Sequence, residues 1–344
     1  MRSANTPLGR WQYDPGTGLN ILDTDAPRGR WRPLIVSIAL TGQCLKGCSF
    51  CYASSTPAGA SAWTYQDLVD FAVDLDRNGV YSITLGGGEP TLWSDLEAGK
   101  TFYDLVRELS ERVSLGLTFT TSGIPDLRFD LIPNMPVRLS CHYPHQVEFV
   151  LRCALQLRER LDHVGINFLL WRSRLAECRE AILRLVSAGF DDVLLLCMRP
   201  VGRGTSFAHE SVDGRDLQAF LRSLDTDVVR LSACEEPGGH PSTDMGCGAS
   251  DWFISISEHR VVKACSFSEE GARLFEPTYA ALSRAATDLP RLPCYRSYLH
   301  TPLARLAGHT GSHRRAVRGA KIVVQDVPDE KATRGKERDH GLDN

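Results

Sequence analysis

Cys44, Cys48 and Cys51 stand at spacings of four and three residues within one short run, Cys44-Leu45-Lys46-Gly47-Cys48-Ser49-Phe50-Cys51. Three thiols so placed can wrap three corners of an iron–sulfur cube, yet the run supplies no fourth protein ligand. A metal site one ligand short is open, and open sites do chemistry. Half of a structural zinc site, or three incidental buried cysteines, are the plainer readings of the same spacing. A second run, Gly86-Gly87-Gly88-Glu89-Pro90, offers backbone that a ligand can approach closely, because glycine carries no side chain in the way. Alone, it reads equally well as a strand-end turn.

The elements that must position these runs alternate between strand and helix. Apolar or β-branched stretches at Leu34–Leu40, Ser82–Leu85, Leu115–Thr120, Val137–Cys141, Val164–Leu170 and Val193–Cys197 predict six strands. Between them, helical spacing of apolar residues predicts helices over Tyr65–Asn78, Thr101–Arg112, Gln146–Leu161, Ala176–Ala188 and Gly214–Leu224. Such alternation implies parallel strands in an α/β sheet or barrel. Six strands fall short of the eight of a closed barrel, and a doubly wound open sheet fits the pattern as well. The cysteine run follows the first strand and the glycine run the second. Thr121-Ser122-Gly123 follows the third strand, and Ser140-Cys141-His142-Tyr143 closes the fourth. Ligands collect at the C-terminal ends of parallel strands, so one pocket would unite all four motifs. Asn167 on the fifth strand could face the same pocket.

The 344 residues suffice for a full-size core, and 42% hydrophobic with 24% charged residues is ordinary globular composition. A formal net charge of −3 provides no general attraction to nucleic acid or membrane surfaces. No apolar run approaches the roughly 20 residues that span a bilayer. The first 33 residues hold no apolar core of a signal peptide, so a cytoplasmic location is expected. In that reducing compartment the 11 cysteines are not expected to form disulfides, and metal or redox chemistry better explains the clustered ones.

Together the two runs resemble the radical S-adenosylmethionine (SAM) superfamily. Cys44, Cys48 and Cys51 fit its C-x3-C-x-Φ-C signature with Phe50 in the aromatic position, and Gly87-Gly88-Glu89-Pro90 fits its GGEP motif one strand later. The resemblance spans residues 34–224 and implies a partial (β/α)6 TIM-like barrel. It implies a [4Fe–4S] cluster on the three cysteines, with SAM on the fourth iron. One-electron reduction then yields methionine and a 5′-deoxyadenosyl radical that abstracts hydrogen from the substrate. Gly86, Gly87, Gly88, Glu89 and Pro90 would lie along the methionyl end of SAM, Ser122 and Ser140 along its carboxylate and ribose, and Phe50 near the adenine.

From residue 226 the pattern changes. A hairpin is expected from Trp252–Ile256 and Arg260–Ala264 around Ser257-Glu258-His259. Cys247-Gly248-Ala249 followed by Cys265 resembles the opening of a SPASM or shorter twitch appendage. That resemblance implies an auxiliary [4Fe–4S] cluster on Cys247, Cys265 and Cys294, with Cys234 as a possible fourth ligand. Zinc, or unligated buried cysteines, would serve this region equally simply. Arg260 stands where the appendage pattern has a glycine, and only Cys294 follows Cys265. The chain thus divides into an N-terminal extension (1–33), a radical SAM core (34–225), an auxiliary-cluster domain (226–300) and a disordered tail (310–344). Cys153, Cys178 and Cys197 read as core. Cys141 or Cys234 could donate a hydrogen atom to a substrate radical, as thiols do in some family epimerases.

The resemblance implies two substrate classes. The first is a ribosomally made peptide, modified by cross-link, thioether or epimerisation. The second is a carbohydrate-like natural product, oxidised by a dehydrogenase reaction or epimerised. Arg199, Arg203 and the intervening glycine-rich loop could contact a substrate carboxylate or peptide backbone. A reductant such as flavodoxin or ferredoxin is expected. The short segment before the first strand either weakens the peptide reading or leaves recognition of a peptide leader to a separate binding protein. A non-catalytic zinc or iron–sulfur scaffold is the competing reading.

Overall fold

The computed structural model describes residues 1–15, 20–23, 25–123, 127–224, 226, 229–231 and 248–289, with backbone alone at 322–324. The chain opens with three short strands, β1 (Arg2–Thr6), β2 (Gly9–Tyr13) and β3 (Asn20–Asp23), joined as an antiparallel meander. The core then runs β4 (Ile35–Thr41), α1 (Tyr65–Arg77) and β5 (Ser82–Gly87), and a two-residue ribbon β6 (Ser94–Asp95) and β7 (Lys100–Thr101) leads into α2 (Phe102–Arg112). It continues through β8 (Gly116–Thr121), β9 (Val137–Cys141), α3 (Val147–Arg158), β10 (Val164–Leu170), α4 (Leu175–Ser187), β11 (Val193–Cys197), α5 (Gly214–Leu224) and β12 (Val229–Leu231). After residue 247 come β13 (Phe253–Ile256), β14 (Val261–Lys263), β15 (Ala272–Arg273) and α6 (Tyr279–Thr287), and β16 (Ile322–Val324) lies parallel to β3.

The main sheet has the order β12-β11-β10-β9-β8-β5-β4-β13-β14-β15. From β12 to β13 every neighbouring pair is parallel. The six strands expected from the sequence are therefore all present, and the last three of them keep their expected bounds. Burial alternates along most core strands, while β10 is buried throughout except at Asn167. In β9, Val137, Leu139 and Cys141 are buried while Arg138 and Ser140 are half-buried, and β4, β5 and β8 repeat the pattern. The buried set joins one core with the apolar faces of α1 to α5 (Leu68, Phe71 and Leu75 of α1, for example), so the helices cover the outer face. The inner face holds small polar residues, among them Ser37, Thr84, Thr118, Thr120, Ser140 and Asn167. This is the partial barrel expected above: a packed outer layer and a polar concave interior.

The N-terminal extension closes the lower end of that interior. Trp11 of β2 packs edge-on against Tyr81 and Trp252, with ring centroids 5.1 Å apart in both pairs. Tyr81 donates its hydroxyl to the Trp11 carbonyl, and Arg2 donates to Val80 O at 2.8 Å while pairing with Asp76.

The expected C-terminal hairpin forms as β13 and β14, and it is an extension of the main sheet. Phe253 to Ile256 pair in parallel with Ile35 to Ile38 of β4. Trp63 bridges the two parts, its indole N–H reaching Ala39 O and Ser257 O at 3.1 and 3.3 Å. Arg260 ends the turn with φ +59°, the left-handed region that favours glycine, which gives a physical reason for glycine in the appendage pattern. Here the arginine is retained by an ion pair with Asp67 and by stacking of its guanidinium 5.1 Å over the Trp63 ring.

Candidate active site

The cysteine run leaves the C-terminal end of β4 as a loop whose backbone is fastened at both ends. Cys44 N donates to Thr56 O at 2.9 Å, and Thr56 N returns a bond to Gly42 O at 3.2 Å. The glycine run at the end of β5 braces the same segment: Gly88 N donates to Thr41 O and Glu89 N to Gln43 O, both at 2.7 Å. A Cβ on Gly88 would lie 2.2 Å from Gln43 O, so only glycine permits this approach. Gly86 differs, since a Cβ there meets nothing within 4 Å. It borders open space on the strand next to β4.

Cys44, Cys48 and Cys51 are half-buried, with exposed Leu45, Gly47 and Ser49 between them. Desolvation pushes the Cys44 and Cys48 thiols above the usual range, and neighbouring charges add to it. Iron must therefore displace protons to bind there. Arg203 grips the loop from the segment after β11. Its Nε donates to Cys48 O at 3.0 Å, its Nη2 to Ser55 O at 2.9 Å, and its backbone N to Cys51 O at 3.1 Å. The expected contact of Arg203 with a substrate carboxylate is thus corrected, because its fork is spent on loop carbonyls. Phe50 is buried among aromatic rings, edge-on to His142, Tyr143 and Trp171 at 5.2–5.6 Å.

Glu89 is buried, and its carboxylate accepts from Thr91 Oγ1 (2.8 Å), Thr121 Oγ1 (2.7 Å), Ser122 N (2.9 Å) and Ser122 Oγ (2.7 Å). Both donors of Ser122, expected to face a ligand carboxylate, are committed to Glu89. Pro90 starts a buried 3-10 turn directly behind it. Ser140 lies on the inner face beside Asn167, and its hydroxyl makes no hydrogen bond among the described residues. Asn167 accepts from Arg138 Nε at 2.6 Å, and Arg138 is further paired with Asp192. The arginine on the inner wall is thus neutralised by its own neighbours.

Cys141 requires a correction. Alternation along β9 turns it to the helix side, where it is fully buried near Cys178 and its thiol approaches Tyr143 O at 3.4 Å. Burial raises that thiol to about 12. A substrate in the concave interior does not meet it, so it cannot serve as the expected hydrogen donor. Cys153, Cys178 and Cys197 are buried as expected. The residue that position alone did not single out is His142, whose Nδ1 stands 3.8 Å from Cys48 Sγ. Desolvation, with Lys46 nearby, pushes its imidazole down to about 4. Among the described residues no group of three or more His, Cys, Asp or Glu side chains converges as a single-ion site. Cys265 is buried after β14, next to Ser266, which bonds to Ser255 at 3.0 Å. Cys234, Cys247 and Cys294 lie outside the described residues. No helix among the described residues is long and apolar enough to cross a membrane.

Residues 38–198 match the radical SAM superfamily, a span holding both the cysteine loop and the glycine turn. This chain carries a radical SAM domain. The mycofactocin maturase MftC of Mycolicibacterium smegmatis is 31% identical to it over 249 residues, covering 70% of this chain and 56% of the maturase. The chain thus spans little more than half the length of that relative. Among solved structures, Streptococcus suis SuiB bound to the precursor peptide SuiA superposes with a TM-score of 0.59 at 16% identity, covering 73% of this chain and 65% of SuiB. Native anSMEcpe with bound AdoMet and the Cp18Cys peptide gives 0.52 at 16% identity, covering 69% and 75%. At such identities these likenesses show the fold, and it is the radical SAM partial barrel.

Proposed function

We propose that Cys44, Cys48 and Cys51 hold three irons of a [4Fe–4S] cluster, that SAM occupies the fourth, and that the enzyme modifies a ribosomally made peptide. The observation that carries this reading is the half-buried three-thiol loop braced backbone to backbone by the glycine turn. The donor set fits the group: three thiols with no fourth beside them among the described residues, and open space at Gly86 on the adjoining strand. When bound, the cluster and SAM supply reductive cleavage of the sulfonium and abstraction of a substrate hydrogen atom. The chain's own residues do the positioning. Gly86 admits the methionyl end, Ser140 offers its unspent hydroxyl, Glu89 and Ser122 fix the turn, and Arg203 fixes the loop. The small polar side chains of the inner wall leave room for a substrate above Asn167. A flavodoxin- or ferredoxin-like reductant supplies the electron.

The peptide class is supported by the 31% identical relative, a maturase by name. The outcome we favour is a cross-link, a thioether or an epimerisation. Cys265, with Cys247 and Cys294 and with Cys234 as fourth, is proposed to hold the auxiliary cluster. Anaerobic reconstitution followed by SAM and dithionite tests the core of the reading. Methionine and 5′-deoxyadenosine are expected from wild-type protein and neither from Cys48→Ala. A cluster-loaded wild type that forms neither, even with candidate precursor peptides present, would remove it. Iron counts near eight per chain, falling to about four in a Cys265→Ala variant, support the auxiliary cluster. A count near four in both dismisses it.

A further inference from the structure

His142 follows β9 directly, and the alternation that turns Cys141 towards the helices turns His142 towards the cysteine loop. Its Nδ1 lies 3.8 Å from Cys48 Sγ, within the reach of an N–H···S hydrogen bond. The placement is held from two sides. The His142 carbonyl accepts from Trp171 Nε1 at 2.7 Å, and the imidazole packs edge-on to Phe50 at 5.6 Å, so the ring cannot swing away without disturbing the aromatic cluster. The ring makes no other hydrogen bond among the described residues. A sulfur that ligates iron carries no proton, so a hydrogen bond between these two atoms has Nδ1 as its donor.

We infer that His142 donates Nδ1–H to the Cys48 sulfur and so raises the reduction potential of the cluster that Cys48 helps to hold. The inference rests on the cluster reading above. Its physics is that of any donor to a ligand sulfur. The reduced cluster carries one more negative charge than the oxidised one, and an N–H dipole aimed at a sulfur stabilises that charge. His142 is a positioning residue in this scheme. It reaches the iron only through Cys48.

The test is an EPR-monitored potentiometric titration of anaerobically reconstituted protein, without SAM or substrate. Wild type is compared with His142→Phe, which keeps a planar ring but has no donor, and with His142→Asn, whose amide nitrogen can take the place of Nδ1. A midpoint shifted to lower potential in the Phe variant and largely restored in the Asn variant, at equal iron content, is the expected result. His142→Leu, which has no polar side-chain atom, serves as the donor-free variant should the Phe ring reduce iron uptake. Equal midpoints in wild type and the donor-free variant overturn the inference, as does an equal fall in the Asn variant. Wild-type protein that takes up no iron–sulfur cluster overturns the underlying reading, and this inference with it.

Discussion

Ser122 donates its hydroxyl and its backbone N–H to the same carboxylate oxygen of Glu89, at 2.7 and 2.9 Å. Thr91 and Thr121 take the other oxygen. Four donors match the four acceptor positions of a carboxylate, so Glu89 is buried at 1% exposure without an unmet charge-assisted bond. The bonds tie the end of β5 to the end of β8. Because Glu89 N also donates to Gln43 O, the same residue sets the backbone one position before Cys44.

Replacing Glu89 therefore separates acceptor loss from charge loss. Glu89→Ala strands the Ser122 N–H and leaves three hydroxyls without their acceptor, and it should cost about 2–4 kcal/mol of stability. Glu89→Gln keeps an oxygen for Ser122 and turns an amide towards Thr91 and Thr121, whose hydroxyls can rotate to accept. Its cost should be about 1 kcal/mol. Denaturant unfolding of the two variants checks the order, and equal losses would contradict the network.

Two alanine substitutions in the glycine turn should fail for different reasons. At Gly88 the new methyl lies 2.2 Å from Gln43 O and 2.7 Å from its carbonyl carbon, both backbone atoms that cannot step aside. Gly88→Ala should lose about 1–3 kcal/mol and impair iron uptake by moving the residue before Cys44. Gly86→Ala meets nothing within 4 Å and should fold and load iron like wild type. Its SAM affinity, measured anaerobically by equilibrium dialysis, should fall about tenfold, or about 1.4 kcal/mol, if SAM lies against it. Unchanged affinity would take Gly86 out of the proposed site.

Cys141→Ala tests the correction on β9. A buried thiol on the helix side contributes packing, so its removal should cost about 1 kcal/mol. SAM cleavage and product should be retained in full. Loss of an epimerised product with SAM cleavage intact would restore the hydrogen-donor role.

The six core strands and the two motif loops were legible because aliphatic runs, glycine stops and thiol spacing are local signals. The face of each strand was legible too: Arg138, Ser140 and His142 share one side by simple alternation, and following it would have turned Cys141 outward and His142 inward. What sequence spacing does not carry is contact across the chain. Trp11 finds Tyr81 and Trp252, and Phe253 finds Ile35, through tertiary packing that makes the N-terminal segment a closure and the hairpin a sheet extension. Arg203, expected to contact substrate, stands on a glycine-rich loop where spacing says nothing of its partners. Its partners are 148 and 155 residues away.

That clamp yields the most discriminating substitution outside the ligands. The planar guanidinium spans two carbonyls, Cys48 O and Ser55 O, that bracket the second half of the cysteine loop. A lysine ammonium has no rigid fork and holds one of them at a time. Each charged bond to a carbonyl is worth about 1.5–3 kcal/mol, so losing both in Arg203→Ala should cost about 3–6 kcal/mol and Arg203→Lys roughly half of that. The loss should fall on the loop, and the reconstituted cluster should then surrender iron to a chelator several times faster, with Lys intermediate between Ala and wild type. A residue that bound substrate would behave otherwise: KM would rise while the rate of iron loss stayed at the wild-type value. Chelator kinetics and KM measured on the same three proteins distinguish a clamp from a substrate contact, and the hydrogen bonds to Cys48 O and Ser55 O require the clamp.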